Sequence, residues 1–146
     1  MKRLLAGLAG MLLAAPCAMA QDAGGDPAAG EKDFNQCKTC HSITDADGND
    51  IVKGGKVGPN LYGVVGRQAG TWDDFKYSEY MVAAGESGLE WNLEDFTVYV
   101  QDPTAFLRDY IDDPKARGKM TFKLTKAEKA PDIWAYLVSV GPEGGS

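Results

Sequence analysis

The segment Cys37–His41 carries the clearest chemistry in this sequence: two cysteines separated by two residues, with a histidine directly after the second. Thiols at this spacing can add to the two vinyl groups on one edge of a haem, and the adjacent imidazole can coordinate its iron. His41 is the single histidine of the chain. The pattern therefore predicts covalent attachment of one haem c through Cys37 and Cys40, with His41 as an iron ligand.

Two close cysteines have three other common uses: a dithiol redox pair, half of a zinc site and a structural disulfide. A structural zinc site needs four ligands, and the only further cysteine is Cys17. A thioredoxin-like pair is expected within a βαβ unit, and the sequence around Cys37 and Cys40 predicts none. Haem attachment is therefore the favoured interpretation.

The first twenty residues have the features of a secretory signal peptide. Lys2 and Arg3 precede an apolar run over 4–15, and the small residues Ala18 and Ala20 fit the cleavage rule. The apolar run is shorter than the about twenty residues that a membrane-spanning helix needs. The sequence therefore predicts cleavage after Ala20 and export to the periplasm.

A rival interpretation of this region is lipid attachment at Cys17, for which the residues preceding that cysteine are a poor context. No later apolar stretch approaches the length of a membrane span. Residues 21–146 are long enough for one domain with a real core. We therefore expect a signal peptide over 1–20, followed by a single soluble domain.

Charge is distributed unevenly along the chain, whose formal net charge is −6. Residues 73–113 contain eleven acidic side chains, whereas the short stretch 114–129 contains six basic side chains and one acidic one. An ordinary solvated surface is one explanation. The other is a basic face that steers partners by charge, which requires the basic stretch to lie beside the functional site.

Caps and helix breakers predict about five short helices. Asp26 followed by proline begins the first helix, which is expected to reach Cys37. Asn92 is a credible cap for a helix that ends at Asp102, because the following Pro103 disfavours helical backbone there and can itself open the next helix. Ser78 lies near the start of a further short helix over 77–84.

The clearest helical pattern lies near the end of the chain. Thr125 and Glu128 have the spacing of a capping box, apolar residues follow at helical spacing, and Gly141 stands at the end. By contrast, residues 42–71 contain seven glycines and no long helical period, which predicts irregular loop. The sequence thus predicts an all-α domain with long loops wrapped around its cofactor.

The second axial ligand of the iron decides what such a haem can do. A second histidine from the same chain is excluded, because His41 is the only one. Methionine is the usual alternative and raises the reduction potential. Met81 has the helical spacing of a packing residue, and Met120 lies in a loop before the last helix. Local features favour Met120 and leave Met81 open.

The sequence resembles class I c-type cytochromes, most closely the cytochrome c2 proteins of purple photosynthetic bacteria. The resemblance covers nearly all of residues 26–140 and depends on six segments in the same order and at similar spacing. These segments are Cys37–His41, Gly58–Leu61, Tyr62–Arg67, Tyr99–Pro103, Gly118–Phe122 and Ile133–Leu137. It implies the class I cytochrome c fold, with about five short helices around one covalently bound haem.

The resemblance also implies roles for individual residues. Met120 matches the sixth iron ligand, and Pro59 matches the residue whose carbonyl accepts a hydrogen bond from the ring of the axial histidine. Tyr99 matches a tyrosine near the methionine sulfur, and Phe122 matches an aromatic ring beside the exposed haem edge. The residues that match those binding or neutralising the haem propionates are Arg67, Tyr77 and Trp91.

One departure from the mitochondrial relatives concerns the methionine loop. Gly118 stands where those relatives carry a residue with a hydroxyl group. A hydrogen bond from that position must be absent here or come from another residue.

The resemblance implies a soluble, monomeric, periplasmic one-electron carrier and not an enzyme. Its expected partners are the cytochrome bc1 complex and a photosynthetic reaction centre, a terminal oxidase or both. The lysines expected to dock on acidic faces of these partners are Lys38, Lys115, Lys119 and Lys123. The alternatives are a haem enzyme or gas sensor with a labile sixth ligand, and a relay subunit of an oxidase or reductase.

Overall fold

The computed structural model describes residues 24–142, which form five α-helices, two short 3₁₀ turns and one small hairpin. The helices are α1 (Pro27–Asp33), α2 (Glu79–Glu86), α3 (Leu93–Gln101), α4 (Pro103–Tyr110) and α5 (Ala130–Val140). The 3₁₀ turns cover Phe34–Gln36 and Ala127–Lys129, and the strands are β1 (Ile43–Thr44) and β2 (Asp50–Val52). The signal peptide predicted over 1–20 lies outside the described residues.

Side-chain caps begin four of the helices, and three of the capping residues were predicted: Asp26, Ser78 and Asn92. The Asp26 carboxylate accepts from the amide of Ala28, and the Asn92 side chain accepts from the amide of Asp95. Asp102 both follows α3 and caps α4, where its side chain accepts from Ala105 at 3.1 Å. Each of these bonds satisfies an amide that the first helical turn leaves without a partner.

The first and last helices pack directly against each other. Gly30 allows this contact, because a Cβ atom at that position would lie only 1.9 Å from the carbonyl oxygen of Asp132. The rings of Phe34 and Tyr136 meet beside it with centroids 5.7 Å apart. Gly30, Phe34 and Tyr136 thus form the contact between the first and last helices, and it fixes the end of α1 from which the haem motif continues.

Two apolar clusters form the core. The first joins the 3₁₀ turn after α1, helix α5 and the end of α3, and it includes Phe34, Ile133 and Leu137. The second joins α2 and α4, and it includes Met81 and Leu107. Burial of such side chains supplies most of the stabilisation of a domain this size.

Two details of the predicted helix ends are wrong. Thr125 and Glu128 form no capping box, because α5 begins only at Ala130 after a 3₁₀ turn that no side chain caps. The short helix predicted over 77–84 would end before Gly85, but Gly85 lies inside α2, where a Cβ atom would come 2.0 Å from the carbonyl oxygen of Ala69. The left-handed residue after that helix is Gly88, with φ of 104°.

The glycine-rich stretch is irregular except for the β1–β2 hairpin, which the sequence did not reveal. Asp45 organises its turn, because its carboxylate accepts from the amides of Asp47 and Asn49. Gly48 occupies a left-handed position there, with φ of 85°. Among residues 24–142, no helix is both long enough and apolar enough to cross a membrane.

Candidate haem site

The segment with the two cysteines continues α1 as a tight turn. The amides of Cys40 and His41 both donate to the carbonyl of Cys37, at 3.1 and 3.0 Å. This turn brings both thiols and the imidazole to one cavity. The cysteine–histidine spacing therefore has the local geometry that attachment of a single haem requires.

A glycine-rich strap over 54–58 holds this turn from the other side. The amide of Gly55 donates to Lys38 at 2.9 Å, and the amide of Gly58 donates to Cys40 at 2.8 Å. A Cβ atom on Gly58 would lie 2.3 Å from Cε1 of His41. Glycine is thus required where the strap touches the imidazole ring.

His41 has a defined tautomer. Its Nδ1 lies 2.8 Å from the carbonyl oxygen of Pro59, and because a carbonyl can only accept, Nδ1 must carry the proton. The lone pair of Nε2 is then available for a metal. Burial lowers the pKa of His41, although the bond to Pro59 acts in the opposite direction. Because burial is the larger effect, the imidazole is neutral at neutral pH, and the bond to Pro59 orients it.

The two thiols differ in their surroundings. Three effects raise the pKa of Cys37 to about 11. Burial is the largest, and the nearby carboxylate of Asp33 and the neighbouring Cys40 act in the same direction. Before a thioether bond forms, the Cys37 thiol is therefore protonated at neutral pH. Both cysteines are partly buried.

The cavity beside these residues has a volume of about 390 Å³ and a mostly apolar wall. Every residue predicted to bind or ligate the haem lines it. They are Cys37, Cys40, His41, Pro59, Arg67, Tyr77, Trp91, Tyr99, Met120 and Phe122. Residues far apart in the sequence thus converge on one space.

Both candidate methionines reach this cavity, but from different surroundings. Met81 belongs to α2, is only 7% exposed and packs in the second core cluster with Leu89. Met120 lies on an irregular segment between α4 and α5, and it belongs to neither cluster. The packing role predicted for Met81 is confirmed, and Met120 is the more adaptable of the two.

Arg67 places a positive charge at the cavity wall. Its guanidinium donates to the carbonyls of Asn60 and Tyr62 and lies 4.9 Å from the centre of the Trp72 ring. Burial lowers its pKa, yet a guanidinium stays charged at neutral pH. Between residues 24 and 142 no carboxylate lies at ion-pair distance from it. The wall therefore presents a cation suited to an anionic group of a ligand.

The sequence did not suggest the role of Trp72. Cation–π contact with an indole stabilises a guanidinium and fixes its direction. Trp72 lies in a loop five residues beyond Arg67, with neither motif nor helical spacing to connect them. Only a three-dimensional structure could have shown this contact.

Two aromatic rings form another wall, with a third ring behind them. Trp91 and Tyr99 meet edge to face with centroids 4.9 Å apart, and both contact Phe106 of α4. Burial raises the pKa of Tyr99, and the nearby Tyr77 contributes in the same direction. The phenol of Tyr99 is therefore a neutral donor. Backbone bonds of Trp91 to Gly66 and Arg67 tie this wall to the guanidinium.

The four predicted docking lysines are exposed but have different surroundings. The ammonium group of Lys119 donates to the carbonyl of Lys76 and lies over the Phe75 ring, and this residue lines the cavity. Lys123 pairs with Asp102 at 2.6 Å. Within the described part of the chain, the ammonium groups of Lys38 and Lys115 make neither hydrogen bond nor ion pair.

The set of donor groups fits a c-type haem. Two thiols at attachment spacing, one oriented imidazole and the thioethers of Met81 and Met120 meet in an apolar cavity that also presents a cation. A zinc site is not supported, since residues 24–142 contain no group of three His, Cys, Asp or Glu side chains able to hold a metal ion. Fold and site together define a class I c-type cytochrome.

Comparison with known proteins agrees with this class. Cytochrome c2 of Rhodobacter capsulatus is 55% identical over 133 residues, which cover 91% of this chain and 92% of that protein. Cytochrome c-550 of Paracoccus denitrificans is 47% identical over 144 residues, covering 97% and 90%. The solved structure of cytochrome c2 from Rhodobacter sphaeroides has a TM-score of 0.79 at 60% identity, covering 80% of this chain and 97% of that one. No family model matches the chain.

These similarities show that the chain belongs to the cytochrome c2 family. The predicted all-α class I cytochrome c fold is confirmed, as is the prediction of one covalently attached haem c. As a member of this family the protein is an electron carrier, and neither the haem enzyme or gas sensor nor the relay subunit is favoured.

Proposed function

We propose that the protein is a soluble periplasmic carrier that takes single electrons from a cytochrome bc1 complex. It delivers them to a photosynthetic reaction centre, a terminal oxidase or both. When bound, the haem supplies the iron that gains and loses the electron. The observation that carries this proposal is the convergence of Cys37, Cys40, His41 and Met120 on one cavity.

Within this proposal, Cys37 and Cys40 hold the haem covalently, and His41 and Met120 are its axial ligands. The bond from His41 to Pro59 supports this assignment, because it orients Nε2 and makes the imidazole a stronger donor. Two protein ligands leave no open coordination position for oxygen or peroxide. We therefore propose a carrier without enzymatic activity.

The remaining wall residues are assigned to the periphery of the haem. Arg67 offers an unpaired charge to the propionates, with Tyr77 and Trp91 beside it. Tyr99 offers a neutral hydroxyl group to the cavity. The ring of Phe122 also lines the cavity and is only partly buried. Burying the propionates beside a guanidinium lowers the cost of placing their charge in an apolar environment.

Docking is assigned to the exposed lysines. Lys38 follows the first attachment cysteine directly, so its charge lies close to the haem edge whatever the partner. Lys115 is equally unengaged, whereas Lys119 and Lys123 already contact other groups of the chain. The ion pair of Lys123 is exposed, and such pairs contribute little, so this charge also remains available to a partner.

The docking assignment predicts that Lys38→Glu combined with Lys115→Glu slows association with partners. We expect the second-order rate of reduction by purified cytochrome bc1 complex to fall about tenfold at low ionic strength, since steering by charge raises association rates by that order or more. The difference should disappear as salt screens the charges. Stopped-flow kinetics over a series of ionic strengths measures both effects, and oxidation by reaction centres tests the other partner.

Lys126→Glu is a suitable control, because Lys126 is exposed in the same basic stretch but is not one of the lysines assigned to docking. It should slow association much less than the double variant. Equal slowing by the control would indicate an effect of net charge alone. Association rates that change with neither the salt concentration nor the lysine substitutions would contradict the proposed docking face.

Export is a further part of the proposal. Residues 1–20 are assigned as a signal peptide and 21–146 as the mature single domain. We expect the protein recovered from a periplasmic fraction to have the intact mass of residues 21–146 plus one haem, on the basis of the small residues at Ala18 and Ala20. A product that retains Cys17 with an attached lipid would contradict this assignment.

A further inference from the structure

Helix α4 presents two side chains, one helical turn apart, to the segment that carries Met120. We call residues 111–126 the Met120 loop. The hydroxyl oxygen of Thr104 accepts from the amide of Gly118 at 3.1 Å, and Nε of Arg108 donates to the carbonyl of Ala116 at 3.0 Å. The two contacts therefore hold alternate residues of the loop, and Gly118 lies only two residues before the methionine.

The helix that makes these contacts is a firm support. Its side chains Phe106 and Leu107 are buried in the second core cluster, and Pro103 is fully buried at its first turn. The Met120 loop has no regular structure from 116 to 124. Besides these contacts, the amide of Leu124 donates to the carbonyl of Val100 at 2.7 Å, Lys123 pairs with Asp102, and the Lys119 ammonium group donates to the carbonyl of Lys76. The bond to Thr104 is thus one of a small number that hold the segment before Met120.

Glycine at position 118 allows the close approach of loop and helix. A Cβ atom there would lie 3.3 Å from Cβ of Pro103, which is tighter than an ordinary contact. A side chain at this position would require the loop or Pro103 to shift by a few tenths of an ångström. The mitochondrial relatives carry a hydroxyl-bearing residue at the position of Gly118. In this chain the hydroxyl group beside that position belongs to Thr104 of α4.

We propose that Thr104 is a positioning residue for Met120: its hydroxyl holds the loop so that the thioether stays at the iron. The inference rests on the proposed assignment of Met120 as axial ligand. Moving the loop outward breaks the bond from Gly118. In the parent protein, opening must therefore overcome one hydrogen bond that Thr104→Val removes in advance.

The expected result concerns imidazole, which competes with methionine for ferric haem. In the holoprotein Thr104→Val, the apparent dissociation constant of imidazole should fall about fivefold. A hydrogen bond of average strength changes a population by that factor, and the apparent affinity follows the population of the open form. Thr104→Ser keeps the hydroxyl and should restore the parent value.

Thr97→Val is a matched control with the same chemical change. Thr97 lies on α3, where its hydroxyl donates to the carbonyl of Leu93 at 2.7 Å, and it does not line the cavity. Imidazole affinity should stay at the parent value in this variant even if its unfolding temperature falls. A merely structural effect of Thr104 would give the two valine variants the same imidazole affinity.

Methionine bound to ferric haem gives a weak long-wavelength absorption band by charge transfer. The presence of this band in the parent protein separates the two possible failures. If the band is present and Thr104→Val binds imidazole like the parent, the positioning role is overturned and the ligand assignment survives. Failure of Thr104→Ser to restore the parent value overturns it as well. If the parent has no such band, the assignment of Met120 is overturned and the positioning role with it.

Discussion

Replacing Met120 with alanine is expected to abolish the weak long-wavelength band of the ferric protein, which arises from charge transfer between methionine and ferric haem. The reduction potential should fall by on the order of 0.1 V or more, because thioether ligation favours ferrous iron and axial ligands spread haem potentials over about 0.8 V. Optical spectroscopy and a potentiometric titration of the purified holoprotein measure both changes.

Met81→Leu is the matched control, because Met81 reaches the same cavity but is packed in the second core cluster. The exchange conserves volume, so it should cost less than about 1.5 kcal/mol of stability and leave both the band and the potential close to parent values. The opposite outcome, a band lost in Met81→Leu and retained in Met120→Ala, would transfer the ligand role to the helix.

The same pair of variants separates a carrier from a gas-binding protein. The ferrous parent should bind carbon monoxide poorly, whereas Met120→Ala should bind it readily, since the substitution opens a coordination position. Rapid binding by the parent would favour the labile-ligand alternative. It would also remove the basis for proposing a carrier without enzymatic activity.

Helix starts were predictable because their signals are local. Asp26 and Asn92 bond amides two and three residues away, and Pro103 restricts the residue directly before it. The attachment motif was predictable for a similar reason: Cys37–His41 is one continuous turn. In such places sequence distance and spatial distance agree.

Tertiary contacts explain what the sequence did not reveal. Thr125 has the spacing of a cap, yet the chain before α5 is fixed by the bond of Leu124 to Val100, and the helix starts later. The position of Trp72 over Arg67 depends on the path of a loop, which no periodicity encodes. Long-range partners decided both cases.

The glycines of the predicted irregular stretch show the same division. The number of glycines predicted an irregular loop. Their positions, however, are required by close contact with the turn that contains the two cysteines and His41. Cβ atoms on Gly54 and Gly55 would lie 1.9 and 2.2 Å from the carbonyl oxygens of His41 and Thr39. A turn that must present one imidazole and two thiols leaves no room for side chains behind it.

Gly30→Ala is expected to lower the free energy of unfolding by about 2 kcal/mol or more, despite the better helix propensity of alanine. Propensity favours the substitution by about 1 kcal/mol. The added Cβ would lie 1.9 Å from the carbonyl oxygen of Asp132 and 2.9 Å from Cβ of Tyr136. Overpacking of this kind costs typically 1–3 kcal/mol and more against rigid backbone, so the clash between α1 and α5 prevails.

The measurement is thermal unfolding of the holoprotein, with a midpoint temperature expected roughly 8 °C below that of the parent. Denaturant unfolding measures the change in free energy directly. Glu31→Ala is the control, because it introduces the same residue at the next, exposed position of α1 and should change stability little. The long-wavelength band should survive in both variants, since His41 and Met120 lie outside the contact between the two helices. An unchanged midpoint in Gly30→Ala would mean that the helices separate at no cost, and the close packing of α1 on α5 would then contribute nothing to stability.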